Sequence, residues 1–188
     1  IKRLSKQLNI PLTVIHPAIV IGDHQQGELA SQQPFYQTLV DLMAGKLFAV
    51  PSGQGYRLPL VSVAYLTQFM ANVINYPQTI NQEYVLADNS TPNLKQVLTV
   101  CAKAIAIKPP MLSIPIPVLK CVLTSEFVAK KAGMSLEMLH FFRQESLATE
   151  TTQQLANMMA LPLPSLEHCL QQTAKFVARQ SLVLAKAS

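Results

Sequence analysis

At 188 residues the chain is long enough for one medium domain, or one domain with an appendage. It is 49% hydrophobic and only 13% charged, which excludes a disordered or solvating segment and provides for a sizeable core. Its net charge of +5 is scattered over Lys2, Arg3, Lys6, Lys130, Lys131, Lys175 and Arg179 without interleaved aromatics, so nucleic acid is not expected as a partner.

Three cysteines at wide spacing, Cys101, Cys121 and Cys169, give neither a disulfide framework nor a C-x-x-C site, and fit a reducing cytoplasm. Met111–Thr124 is apolar but short and carries Pro115 and Pro117, so no transmembrane segment is expected, and no signal peptide is visible. His24, His140 and His168 have no ligand spacing with the cysteines. His168 and Cys169 are adjacent and fall on different faces of a helix, so no metal site is expected.

In chain order, residues 1–8 place Ile1, Leu4 and Leu8 on one helix face, opposite Lys and Arg. The chain begins with Ile and opens on a helix already in progress, the pattern of a fragment. Ile10–Asp23, read IPLTVIHPAIVIGD, is a nearly charge-free run rich in Val, Ile and Thr. Its composition predicts a buried strand of a parallel sheet, broken or bulged at Pro17, which has no N–H for a ladder. Ligands of open α/β sheets sit where strands end, so chemistry is expected at His16–Asp23.

A polar loop with Gly27 follows, then a helix over 35–46 carrying Phe35, Leu39, Leu42 and Met43. Short strands are expected at 47–51, 58–63 and 83–87. A helix over 64–74 is expected to turn Leu66, Phe69, Met70, Val73 and Ile74 to the core. Thr91-Pro92 reads as N-cap and first turn of a helix to about residue 105. Residues 108–117 read as a proline-rich connector, and helices are expected over 118–132, 135–142 and 149–159. Ser165 caps a last helix to about residue 184. The alternation up to residue 90, followed by mostly helix, predicts an α/β core (1–90) with a mainly helical lobe (91–188).

Four stretches stand in an order that resembles a known family. LTVIHPAIVIGD is similar to a strand ending in Arg-Pro that continues to a Gly-Asp turn. Gly53–Tyr65, GQGYRLPLVSVAY, resembles a glycine turn, a strand and Val-Asp-Tyr. EYVLADNSTPNLKQVLTVCAKA resembles a strand followed by a capped helix. TTQQLANMMALPLPSLEHCLQQTAKFV resembles the terminal pattern in which Pro and Ser-Leu-Glu open the last helix. Together they resemble the C-terminal portion of the extended short-chain dehydrogenases/reductases, of the NAD-dependent epimerase/dehydratase superfamily, closest to its thioester and fatty-acyl reductase branch. Two positions depart: His16 stands for the family's Arg and Ala64 for its Asp.

The resemblance implies the C-terminal part of a Rossmann-like doubly wound sheet with a mainly helical substrate-binding lobe. It implies NAD or NADP in the full-length parent, and an acyl, thioester or other carbonyl substrate. A carrier protein or a second copy of the chain follows as a partner. His16, Pro17, Ala18 and Ile19 would lie beside the nicotinamide; Gly22, Gly27, Phe35, Tyr36, Leu39 and Arg57 would lie on the substrate side. The family's G-x-x-G-x-x-G and Tyr-x-x-x-Lys occur nowhere in the sequence. No catalytic residue is therefore assigned, and the chain alone is expected to be inactive. Half of a doubly wound sheet also leaves an open strand edge, so it is expected to associate or aggregate. A non-catalytic small-molecule-binding or scaffold protein derived from the same fold is the alternative.

Overall fold

The computed structural model describes residues 1–47, 49–52, 57–115, 118 and 147–187. Helix α1 (Lys2–Gln7) leads into strand β1 (Val14–Pro17), and β2 (Ile19–Ile21) follows after one residue. Then come α2 (Pro34–Met43), β3 (Ala49–Ser52), β4 (Leu60–Ser62), α3 (Val63–Val73) and β5 (Glu83–Leu86). The chain continues through α4 (Leu94–Ala104), β6 (Leu112–Pro115), α5 (Glu150–Met158) and α6 (Leu166–Ala187). The expected helices over 118–132 and 135–142, with Cys121 and His140, lie outside the described residues, as does the Gly53–Gly55 turn.

Among the described residues the strands pair in parallel, β1 with β5, β2 with β4, and β3 with β6, and an isolated antiparallel bridge joins Leu60 to Asp88. The run expected as one strand is thus two, and each takes a different neighbour. Val14–Pro17 stands opposite Glu83–Leu86, whereas Ile19–Ile21 stands opposite Leu60–Ser62. The handover falls at Ala18, whose N–H donates to Leu86 O at 2.8 Å, while the next N–H, of Ile19, donates to Pro59 O at 3.1 Å. Pro17 brings no donor, so the ladder loses least by changing partners there. The strand is also less buried than its composition suggests, with His16 and Pro17 exposed at the end of β1.

The β2–β4 ribbon separates two apolar clusters, because successive side chains of a strand point to opposite faces. Ile21 and Leu60 face the larger one with Phe35, Leu39, Val97, Leu98, Leu170 and Val177. Val20 and Val61 face the other, with Phe69, Tyr84, Leu86 and Leu155. The larger cluster joins α2, α4 and α6, so its residues come from both sides of position 90. In the smaller one Phe69 meets Tyr84 edge-on, with ring centroids 5.7 Å apart. Each such fully buried side chain contributes about 1.5–3 kcal/mol of transfer free energy.

Four local expectations are corrected. The residues read as a proline-rich connector include β6, which pairs with β3 from Leu112 to Pro115. This is allowed because prolines are tolerated in edge strands and at strand ends. The N-cap of α4 is Asn93, not Thr91. The Asn93 side chain accepts from Gln96 N while the Gln96 side chain accepts from Asn93 N, a reciprocal box. Thr91 instead closes the preceding turn, its hydroxyl donating to Asp88 O at 2.6 Å. The apolar face of α1 is not packed: Ile1, Leu4 and Leu8 are exposed and Ser5 is the helix's buried residue. On α3, Met70 and Ile74 also point to solvent, leaving Tyr65, Phe69 and Val73 as its buried stripe.

Candidate functional site

The strand handover brings the carboxyl ends of β1 and β5 against the amino ends of β2 and β4. Such a point, where neighbouring strands diverge, is where open α/β sheets form crevices. His16 and Pro17 are exposed there, and Ala18 and Ile19 are half-buried. The N–H groups of Ala18 and Ile19 are taken by Leu86 and Pro59. Ala18 packs toward the smaller cluster and Ile19 toward the larger, so the exposed apolar surface of this segment is a shelf at Pro17.

His16 is held by a carboxylate. Its Nε2 lies 3.0 Å from Glu83 Oε2, and Lys2 Nζ bonds Glu83 Oε1 from the start of α1. The Lys2 hydrogen bond, followed by that of His16, holds the Glu83 carboxyl below its ordinary value.

The loop after β2 is tied down by Asp23, one of whose oxygens accepts from the backbone N–H groups of Gln25, Gln26 and Gly27 at 2.7–2.9 Å. Desolvation pushes this carboxyl up. The three N–H groups and the neighbouring His24 outweigh it, so Asp23 sits below the usual carboxylate range. This is the turn-capping role expected of an Asp in such a turn.

Gly22 and Gly27, read as substrate-side residues, stand where α6 presses on this loop. A Cβ at Gly27 would lie 2.2 Å from the backbone carbonyl of Gln172, and one at Gly22 would lie 2.3 Å from Gly27 O. Phe35, Tyr36 and Leu39 are 2%, 8% and 0% exposed, inside the larger cluster, and line no open surface. Arg57 is exposed and donates from Nη1 to Asn89 O at 2.9 Å. Asn89 in turn donates from Nδ2 to Thr149 Oγ1 and Leu147 O, fastening the turn after β5 to the start of α5. The structure thus gathers His16–Ile19 at one strand end and leaves the substrate-side residues dispersed.

One feature was not legible as a site. His24 and His168, 144 positions apart, line a single cleft with Tyr65, Gln68 and Pro164. No spacing rule links them, because the link is made by α6 docking on the β2 loop. Among the described residues no cluster of three or more His, Cys, Asp or Glu side chains is placed to hold a metal ion. None of the described helices is long and apolar enough to cross a membrane.

No protein-family model matches the sequence, and no curated protein does. Solved structures do match. The protein gox2253 superposes with a TM-score of 0.66 at 17% identity, over 95% of this chain and 52% of its own. The terminal R domain from the myxalamid PKS-NRPS biosynthetic pathway gives 0.67 at 16% identity, over 96% and 47%. The dTDP-glucose 4,6-dehydratase of Bacillus anthracis str. Ames, solved in complex with NAD, gives 0.60 at 11%, over 96% and 49%. The chain shares with these structures an α/β, Rossmann-like fold. It spans about half the length of the structures it matches. The α/β expectation is met in the parallel pairs and in the helices packed on both faces of β2–β4.

Proposed function

We propose that the chain forms the substrate-side part of an NAD(P)-dependent oxidoreductase acting on an acyl, thioester or other carbonyl compound. The observation that carries this reading is the strand handover at Pro17–Ala18, an apolar shelf at the carboxyl end of β1, within a fold shared with a dehydratase solved with NAD.

The residues present fit one end of such a cofactor. Pro17 would wall the nicotinamide ring, with Ala18 and Ile19 beside it and His16 at the rim, oriented by Glu83. When bound, the nicotinamide supplies or accepts a hydride. The sequence offers no glycine-rich turn to cradle a pyrophosphate and no Tyr-x-x-x-Lys to move the substrate proton. These functions belong to residues outside this sequence, and the chain alone is inactive. Arg57, which uses one guanidinium nitrogen on Asn89 O, keeps further donors for an anionic substrate group. Residues 1–90 form the C-terminal part of the Rossmann-like core with its substrate-loop insertions, 91–188 the mainly helical substrate-side lobe, and a carrier protein is a natural source of an acyl thioester.

The test is to read the coding DNA in frame upstream of Ile1 and to express the longer chain it encodes. A Tyr-x-x-x-Lys and a glycine-rich turn there, with NADH or NADPH fluorescence altered by the longer chain and not by residues 1–188, supports the proposal. An in-frame stop codon overturns it in favour of a non-catalytic small-molecule-binding protein of the same fold.

A further inference from the structure

A cleft of about 280 Å³ opens between the loop after β2, the first turn of α3 and the segment Pro162–His168 that starts α6. It shares no residue with the His16–Ile19 shelf. Its apolar lining comes from Ala64, Tyr65, Pro162, Leu163 and Pro164, while His24, Gln68, Ser165 and His168 supply polar atoms.

The two imidazoles present donors. His24 Nδ1 is buried and has no hydrogen-bond partner among the described residues. In the neutral ring an Nδ1–H would strand a buried donor, so the hydrogen sits on Nε2, the accessible nitrogen. At His168, Gln172 Nε2 lies 3.5 Å from the ring Nε2. With the amide donating there, the ring carries its hydrogen on Nδ1. Ser165 Oγ accepts from His168 N at 3.4 Å and keeps its own O–H to give. The first turns of α3 and α6 both border the cleft, and first-turn N–H groups favour negative charge. Of the carboxylates on the bordering elements, Asp23 is capped by three N–H groups, Glu167 in the first turn of α6 accepts from Gln171 Nε2 at 3.3 Å, and Glu28 is exposed on the loop.

We propose that this cleft binds a short-chain carboxylate, its oxygens on the His24 and His168 N–H groups and its alkyl chain on Pro162, Leu163 and Pro164. An apolar lining alongside a cluster of donors suits an amphiphilic anion better than a fully polar one.

The probe is butyrate, titrated into the 188-residue protein while the side-chain ring resonances of His24 and His168 are followed by NMR. Butanol serves as the neutral control. Saturable shifts of both rings with butyrate, and much smaller ones with butanol, are expected. His24→Ala should weaken the titration roughly tenfold by removing one hydrogen bond to a charged group. Ala64→Phe, which fills the cleft without touching a donor, should abolish it while leaving the thermal unfolding cooperative. Unshifted rings, equal shifts with butanol, or an Ala64→Phe variant that still binds butyrate would each overturn the assignment.

Discussion

His16 and Glu83 reach one another diagonally across the parallel β1–β5 pair. Nε2 stands 3.0 Å from Oε2, although Glu83 is opposite Val14 and His16 opposite Val85. With Lys2 on the other carboxylate oxygen, Glu83 ties α1, β1 and β5 together at the rim of the candidate cofactor shelf. The side chains are about half exposed (57% for Lys2, 51% for His16, 48% for Glu83), so the network orients His16 more than it stabilises the fold.

This network has a pH signature. The folded-state value of Glu83 lies below its ordinary 4.5, so on acidification the unfolded chain takes up this proton first. Its contribution is complete above the ordinary value and is lost as pH falls through the depressed one. Glu83→Gln should lower Tm slightly at about pH 7, with the gap closing below about pH 4 and shrinking in about 1 M salt. Calorimetry of both proteins across that range decides. A gap that persists unchanged at low pH would show that the Lys2 and His16 contacts are not its source.

The cap of α4 separates what was legible in the sequence from what was not. Ser90-Thr91-Pro92-Asn93 offers several capping residues in a row, and the choice among them was made by tertiary structure. Asp88 draws in Ser90 N and Ser90 Oγ, and its backbone O takes the Thr91 hydroxyl, so the turn leaves Asn93 to begin the helix. The prediction is that Asn93→Ala costs about 1 kcal/mol in urea denaturation and speeds hydrogen exchange at Gln96 N–H. Thr91→Ala, at the position the local pattern favours, should leave that exchange unchanged. The reverse ordering would reinstate Thr91 as the cap.

The same contrast runs through the chain. Periodicity located α2, α3, β4, β5 and α6 because each carries a self-sufficient apolar stripe or run, as in Tyr65, Phe69 and Val73. The break at Pro17 was legible because a missing N–H is a property of the residue itself. What the break does, handing the chain from β5 to β4, depends on the partner strands and has no local signal. The β6 strand was hidden by its prolines, and the unpacked faces of α1 and of Met70 and Ile74 by the assumption that an apolar stripe finds a core. The candidate cofactor shelf was read from one contiguous segment. The His24–His168 cleft, made by loops distant in sequence, was not.

The buried thiols offer a probe of opening. Burial pushes the Cys101 thiol up to about 12, and its Sγ lies 3.8 Å from Leu170 O between α4 and α6. Cys169 is likewise fully buried and raised by desolvation, with Asp23 adding to it. At about pH 8 the thiolate fraction of Cys101 is on the order of one in ten thousand. Iodoacetamide should therefore spare both sites in native buffer and alkylate both in urea, as read by peptide mass spectrometry. Rapid native labelling at Cys101 would mean that α4 and α6 separate readily.

Gly27 and Gly45 share a backbone conformation but not an environment, and the pair isolates what holds the β2 loop to α6. Their φ values are 69° and 70°, so alanine at either position incurs the left-handed cost of about 1–2 kcal/mol. A Cβ at Gly45 meets nothing within 4 Å, whereas at Gly27 it would lie 2.2 Å from Gln172 C and O and 2.5 Å from Thr173 N. Those are helix backbone atoms, so relief requires the loop or the whole of α6 to move. Gly45→Ala should lose about 1–2 kcal/mol in urea denaturation, and Gly27→Ala about 3 kcal/mol or more. Because Asp23 caps Gly27 N at 2.9 Å, the second change should also loosen that turn and alter the His24 ring environment in NMR spectra. Equal losses at the two glycines would mean that the contact between this loop and α6 does not restrain the fold.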